Sequence, residues 1–266
     1  MIKARGRVLI IAGSDSGGGA GVQADIKTVT ALGGYAATAI TAITVQNTLG
    51  VQAIHALPTA LVEAQARAVL DDIGADAIKT GMLGDAAMVE AVARLLDSAP
   101  DIPAVIDPVM VAKGGQSLLA ASALDAVRAL LIPRAALLTP NAHEAAALTG
   151  LTVETTDDLR RAGEALLRLG ARAVLMKGGH VAGERVIDVL ISADGETSFE
   201  GPRLDTRHTH GTGCTLASAC AVGLAQGLAL DRAVARAWDY TAQAIRHAPG
   251  FGAGHGPLDH GWMTRD

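Results

Sequence analysis

The residues of this 266-residue chain best placed for chemistry are Thr209-His210-Gly211-Thr212-Gly213-Cys214, directly before the helix-like run Thr215 to Ala221. Two glycines flank a threonine at the mouth of an expected helix. Such a turn aims unpaired backbone N–H groups at one point, where the helix dipole also favours negative charge. A phosphate, or the oxyanion of a phosphoryl transfer, suits that point, and Cys214 is placed to face it. Taken alone, the hexapeptide reads equally well as a Gly-rich loop entering a packed helix.

Other chemical residues recur at one kind of place, just after an apolar β-branched run. Arg7 to Ala12 is followed by Gly13-Ser14-Asp15-Ser16-Gly17-Gly18-Gly19-Ala20-Gly21. That turn fits nucleotide or substrate binding at a strand end, or simply close helix–strand packing; it has neither Walker nor dinucleotide spacing. Asp25 follows one turn into the next helix, facing the site or solvent. Tyr35 to Val45 ends in Gln46-Asn47, and an amide offers a donor and an acceptor side by side for a heterocycle edge, or caps local backbone. Pro103 to Ile106 ends in Asp107-Pro108, where an aspartate holds a metal or hydroxyl, or caps a turn. Ala135 to Leu138 leads to Asn141-Ala142-His143-Glu144, with Glu144 as a Mg²⁺ ligand or a carboxylate on a helix N-terminus. Ala173 to Met176 leads to Lys177, a mobile cation for phosphate or a surface lysine.

These positions need elements to hold them. Strands are expected at the runs named and at Ala75 to Thr80, which ends in Lys79-Thr80-Gly81-Met82. Helices are expected over Val22 to Leu32, Thr59 to Ile73, Gly84 to Ser98, Ser122 to Leu131, Thr156 to Leu169 and Leu230 to His247. Lys113-Gly114-Gly115 reads as loop, Val186 to Ser192 with Glu196 to Leu204 as a hairpin or edge strands around Asp194-Gly195, and Phe251 to Met263 as a Gly/His-rich tail. Strand–helix alternation predicts an α/β protein: a three-layer α/β/α sandwich with a mainly parallel central sheet and right-handed crossovers. Gly13, Gln46, Thr80, Asp107, Asn141, Lys177 and the 209–214 loop then share the face on which open α/β sheets bind ligands. No repeat or Pro/Ser-rich linker divides the chain, so residues 1–266 read as one domain.

Bulk properties narrow the class. Half the residues are hydrophobic and 18% are charged, which fits strands buried on both faces. A net charge of −5 without a Lys/Arg stripe, and only two each of Trp, Tyr and Phe, argue against a nucleic-acid partner. Cys214 and Cys220 lie six apart on one expected helix and make no disulfide framework, so a reducing cytoplasm is the simplest setting. Lys3, Arg5 and Arg7 before Val8-Leu9-Ile10-Ile11-Ala12 imitate a signal peptide, but the apolar run is too short. Thr28 to Val62 and His208 to Leu230 contain no Asp, Glu, Lys or Arg. Their Gly, Asn, Gln, Pro, Ser and Thr content reads as buried core, not membrane span.

The motifs together resemble the hydroxymethylpyrimidine/phosphomethylpyrimidine kinases of thiamine biosynthesis, within the ribokinase-like fold. The resemblance runs from about Val8 to Gly254-His255-Gly256-Pro257-Leu258. It rests on the glycine turn, Gln23-Ala24-Asp25, Thr44-Val45-Gln46-Asn47, Lys79-Thr80-Gly81-Met82, Asp107-Pro108-Val109-Met110, Thr139-Pro140-Asn141, Met176-Lys177-Gly178-Gly179-His180 and Thr209 to Cys214. It implies ATP, Mg²⁺ and two successive phosphorylations, alcohol to monophosphate and monophosphate to diphosphate. It implies a pyrimidine pocket of Gly13, Asp25, Gln46, Met82 and Val109. Lys177 and Thr209 would meet the ATP phosphates, Asp107 and Glu144 would organise Mg²⁺, and Gly211 to Cys214 would form the anion hole. Many sugar kinases of this fold carry Asp where Cys214 stands; the pyrimidine kinases carry Cys. Cys214 would take the alcohol proton, and a helix N-terminus lowers a thiol from about 8.5, so a thiolate near neutrality is expected. The tail Gly250 to Pro257 departs slightly from the family's run. A homodimer is implied by the resemblance alone. The rivals are a pyridoxal kinase of the same fold, a cysteine hydrolase pairing Cys214 with His208 or His210, and a non-catalytic binding module.

Overall fold

The computed structural model describes residues 6–111, 115–116 and 118–264. Lys3, Arg5, Lys113 and Gly114, named above, lie outside them. The strands are β1 (Arg7–Ser14), β2 (Tyr35–Asn47), β3 (Gly50–Ala56), β4 (Ala77–Thr80), β5 (Ala104–Ile106), β6 (Leu137–Leu138), β7 (Ala173–Met176), β8 (Arg185–Ser192) and β9 (Gly195–Pro202). The helices are α1 (Gly21–Ala31), α2 (Thr59–Asp72), α3 (Ala86–Asp97), α4 (Leu124–Ala126), α5 (Ala142–Thr149), α6 (Thr156–Arg168), α7 (Thr212–Ala225) and α8 (Leu230–Arg246).

One sheet runs in the order β3-β2-β1-β4-β5-β6-β7-β8-β9. Its six central strands are parallel; β3 at one edge and β8–β9 at the other are antiparallel. The period-2 alternation of a strand explains the three layers. In β1, Leu9 and Ile11 enter a core with residues of α2, α3, α5 and α6. Val8, Ile10 and Ala12 enter the other core, with α1, α7 and α8. Both faces are therefore covered, as the expected sandwich requires. Nine successive residues of α7, Thr215 to Gly223, are buried, which marks it as a helix enclosed on all sides.

Three boundaries depart from the sequence expectation. The edge strand β3 was not foreseen, because its residues are mostly exposed and carry no apolar run. The helix expected from Gly84 begins at Ala86: Gly84 has φ +89°, and Asp85 caps the helix by accepting the Met88 N–H at 2.9 Å. The single helix expected over Ser122 to Leu131 is a mixed run. The α turn passes into a π turn (Val127–Leu131) and a 3-10 turn (Ile132–Arg134), where Pro133 has no N–H for an α ladder.

The strand order reverses beside β1: β2 lies on one side and β4, reached by a crossover, on the other. At such a switch point the flanking loops diverge and leave a crevice at the strand C-termini. The loops after β1, β4, β5, β6 and β7, with the N-terminus of α7, surround it.

Candidate active site

These loops enclose a cavity of about 1350 Å³. Of the residues named from sequence, Gly13, Gln46, Met82, Asp107, Val109, Glu144, Lys177, Thr209, Gly211, Thr212, Gly213 and Cys214 all line it.

The turn into α7 is shaped by Gly211, which holds φ +86° and sits so close to Gly19 that a Cβ would overlap the Gly19 carbonyl oxygen. A left-handed backbone and no room for a side chain together require glycine. The Thr212 hydroxyl donates to Thr209 O at 2.8 Å, and Thr215 N–H to Gly211 O at 2.9 Å. The Thr212 N–H reaches Thr209 O at 3.4 Å, while the N–H groups of Gly213 and Cys214 have no carbonyl one turn earlier within the helix and carry the positive end of its dipole.

The turn is tied to the first glycine loop by a residue that sequence reasoning left without a role. Asp15 is 2% exposed. Its carboxylate accepts from the N–H groups of Gly17, Gly19 and Ala20 at 2.8, 3.1 and 2.8 Å, and contacts His210 Nε2 at 2.8 Å. Burial raises the Asp15 carboxyl pKa, but His210 and the loop N–H groups outweigh it and hold the group below its ordinary value. An aspartate inside a glycine-rich turn was the available signal.

Gln46 lies beside this tie. His210 Nε2 is 3.3 Å from one end of the Gln46 amide, and Thr44 Oγ1 is 3.2 Å from the other. A carboxylate only accepts, so the His210 Nε2 proton is directed to Asp15. The single Thr44 hydroxyl proton goes to Ser14 O at 2.8 Å. The structure sets Gln46 Oε1 toward Thr44 and Nε2 toward His210; these proton positions favour the amide turned by 180°, with its NH₂ toward Thr44 and its oxygen toward the His210 N–H. One N–H and one oxygen lone pair remain for a ligand. Met82 closes the pocket floor, and a Cβ on Gly13 would lie 2.6 Å from its methyl, so Gly13 lets the thioether approach.

Asp25 is a correction. It is fully buried and does not line the cavity. Its oxygens accept from Lys79 Nζ at 3.0 and 2.8 Å, and Oδ1 also from the Ser218 hydroxyl at 2.7 Å. Those contacts turn it behind the pocket wall. Lys79, on β4, is itself 0% exposed. Burial disfavours its ammonium, but Asp25 chiefly, with Cys214 and Asp107, reverses this and raises its pKa. Sequence reasoning assigned Lys79 no task.

The second charged cluster lies at the ends of β5, β6 and β7. Lys177 Nζ is 3.0 Å from Asp107 Oδ1 and 3.7 Å from Glu144 Oε2. Thr139 Oγ1 donates to Asp107 Oδ1 at 3.1 Å. Asn141 and Glu144 form a reciprocal capping box at the start of α5, so Glu144 Oε2 already accepts the Asn141 N–H at 2.7 Å. Burial pushes the Glu144 carboxyl up to about 7 against the pull of Lys177. A Cβ on Gly213 would lie 3.1 Å from Lys177 Nζ, so the cation meets the first turn of α7. The Lys177 ammonium at the end of β7 and partial positive charge at the α7 N-terminus converge on one spot, an arrangement able to neutralise charge on a phosphoryl group.

Cys214 departs from expectation in its chemistry. Burial pushes its thiol up to about 11; Lys79 lowers it, while Asp25 and Asp107 raise it. The expected thiolate near neutrality is therefore not what this environment favours, because removal from water outweighs the helix end. Among the described residues, no group of three or more His, Cys, Asp and Glu is arranged to hold a metal. Two carboxylates beside Lys177 do match the donor set of Mg²⁺ carried with a nucleotide, which takes one or two carboxylates plus phosphate and water oxygens. Beyond Lys177 the cavity continues along Val186 and Leu204 near the β8–β9 hairpin and along Trp238, Ala242 and Ile245 of α8. The sequence reading gave none of these a part in the site.

The family model for phosphomethylpyrimidine kinase matches residues 15–259. The hydroxymethylpyrimidine/phosphomethylpyrimidine kinase of Streptomyces coelicolor is 54% identical over 255 residues, covering 96% of this chain and 94% of that protein. A thiamine biosynthesis bifunctional protein of Geobacter sulfurreducens is 49% identical, over 96% of this chain and 52% of that protein. Among solved structures, an ADP complex of Bacillus subtilis pyridoxal kinase superposes with a TM-score of 0.91 at 35% identity, over 98% of this chain and 100% of that one. With its motifs placed around one cavity of a ribokinase-like sandwich, the chain belongs to the phosphomethylpyrimidine kinase family.

Proposed function

We propose that the chain transfers the terminal phosphoryl group of ATP to the hydroxymethyl oxygen of 4-amino-5-hydroxymethyl-2-methylpyrimidine, and then phosphorylates the monophosphate to the diphosphate, in thiamine diphosphate biosynthesis. The observation that carries this reading is the meeting of Lys177 with the α7 N-terminus in the same cavity as the Gln46 pocket.

In the first transfer the alcohol oxygen forms a bond to the γ-phosphorus, and the bond to the β,γ-bridging oxygen breaks, leaving ADP. The pyrimidine ring lies over Met82 and beside Val109, with Gln46 pairing to its amino edge. The first-turn N–H groups of α7 and Lys177 take up charge on the transferring group, and Thr209 adds a polar contact to the ATP phosphates. Asp107 and Glu144 would hold Mg²⁺, which supplies further charge neutralisation when bound. Cys214 accepts the alcohol proton from its minority thiolate form.

Pyridoxal is a side substrate in this reading, as another aromatic hydroxymethyl compound. We place the chain in the cytoplasm, with both cysteines free, and nucleic acid outside its partners. No helix is long and apolar enough to cross a membrane, among the described residues. A homodimer would cover Ile43 and Val45, exposed by 44% and 54% on β2 near the β3 edge; sedimentation at micromolar concentration tests it.

ATP consumption with hydroxymethylpyrimidine, pyridoxal and ribose, with products resolved by mass, tests the whole reading. Mono- and diphosphate of the pyrimidine are expected. Preference for pyridoxal, or monophosphate alone, overturns the bifunctional assignment.

A further inference from the structure

The loop after Lys177 is fastened from the β8–β9 hairpin at both of its ends. On β8, Asp188 is 6% exposed, and its Oδ1 accepts the Gly178 N–H at 2.7 Å. Directly after β9, the Arg203 guanidinium donates to three carbonyl oxygens of that one loop. Nε reaches Gly183 O at 2.7 Å, Nη1 reaches Gly179 O at 2.8 Å, and Nη2 reaches Val181 O at 2.5 Å. The Arg203 backbone N–H adds a bond to Glu184 O at 2.8 Å.

Three observations make this more than a surface contact. The loop carries Gly178, Gly179 and Gly183, so it loses much backbone freedom on ordering and needs an external fastener. The planar guanidinium fork fixes three acceptors at once, which a lysine ammonium on a flexible stem does not reproduce. Among the described residues, no carboxylate lies within 4.0 Å of the Arg203 side-chain nitrogens, so its charge is not committed to an ion pair. Arg203, Gly179 and Asp188 also line the cavity. The sheet order puts their hairpin on the opposite side of Lys177 from β2 and Gln46.

We propose that Arg203 is a positioning residue for the nucleotide: it shapes the 179–183 loop in advance, so that the phosphate end of ATP meets a formed wall next to Lys177. The proposal rests on the reading of the site as an ATP-dependent kinase. Without Arg203 the loop is ordered only when ATP binds, and the nucleotide's apparent affinity falls by the fraction of molecules already competent. Because Arg203 is exposed, its removal opens no core.

The experiment compares wild type, Arg203→Ala and Arg203→Lys as full chains. Amide hydrogen exchange without nucleotide is read first, then KM for ATP and for hydroxymethylpyrimidine. In Arg203→Ala, faster exchange over residues 179–184 is expected, with KM for ATP raised on the order of tenfold, KM for the pyrimidine within about twofold and Tm nearly unchanged. Arg203→Lys keeps the charge without the fork and stays close to Arg203→Ala. Unchanged exchange in Arg203→Ala removes the fastener. Faster exchange with an unchanged KM for ATP removes its role toward the nucleotide, and a parallel fall in Tm and both KM values makes it merely structural. A wild type that does not turn over ATP instead overturns the kinase reading, and the exchange result stands apart from it.

Discussion

Lys79 and Asp25 form an ion pair with no exposed surface on either side chain, 2.8 Å apart, with Ser218 as third member. Replacing Lys79 by Met leaves the Asp25 carboxylate buried with one hydroxyl donor. Breaking a buried pair in this way costs about 3–5 kcal/mol, because the remaining charge is uncompensated. Asp25→Leu is expected to cost a similar amount by stranding the ammonium. Total stability of a domain is about 5–15 kcal/mol, so either single change removes a large share of it. The double replacement Lys79→Met/Asp25→Leu removes both charges. It loses the Ser218 contact, worth about 1 kcal/mol, and regains the desolvation that the pair opposed. Its stability should lie within about 2 kcal/mol of wild type, giving a coupling of several kcal/mol between the two sites. Urea unfolding, followed by fluorescence and circular dichroism together, measures all four proteins. Single losses below about 1 kcal/mol, or losses that add in the double variant, would refute the argument that the pair is ionised and mutually dependent.

Other consequences follow from the same geometry. With the Cys214 thiol at about 11, a base acting as thiolate makes kcat climb about tenfold per pH unit from pH 7.5 to 9.5. Cys214→Ala lowers kcat by about 10²–10⁴-fold, and a flat profile with near-full turnover in the variant removes Cys214 as proton acceptor. Gln46→Ala should raise KM for the pyrimidine by roughly 10–100-fold, with KM for ATP unmoved, since a site built for a polar edge loses its paired groups. Burial holds the His260 imidazole down at about 4 from 6.5, and its Nε2 lies 3.0 Å from the Thr215 hydroxyl. The unfolded chain therefore binds the proton that the native imidazole refuses. The stability from this group is complete above pH 6.5 and is lost as pH falls toward 4, by about 3 kcal/mol in all. Glu144 and Asp188, raised to about 7 and about 6, act in the opposite sense. The readout is thus wild type minus His260→Gln, in which their effects cancel, and a pH-independent difference would contradict the assignment.

What the sequence disclosed and what it hid divide by range. Gly211 and Lys177 are legible because their constraint is local: a turn before a helix, a cation at the end of an apolar strand. Asn141 and Glu144 are legible for the same reason, the capping box being a four-residue pattern. Asp25 was misplaced because a position one turn into a helix has two faces available, and its choice is made by Lys79 and Ser218, 54 and 193 positions away. Asp15 and His210 are 195 apart, and Arg203 stands 20 to 24 residues from the carbonyls it gathers. Side-chain periodicity reports which face of an element is buried, but not which polar atoms meet across elements. The strained expectation for Cys214 has the same origin. A helix N-terminus is visible in sequence and lowers a thiol pKa, whereas the desolvation that overrides it, helped by Asp25 and Asp107, depends on how distant elements close around the half-buried Cys214 at the cavity wall. The family's motifs therefore locate the cavity wall, in which Lys79 stands with its buried partner Asp25, while the neutral His260 under Thr215 lies outside those motifs; together they set the protonation and rigidity of that wall. Substitutions at Asp25 and His260, which do not line the cavity, should alter the pH dependence of the site without touching either substrate, which is the behaviour that separates a positioning shell from a binding surface.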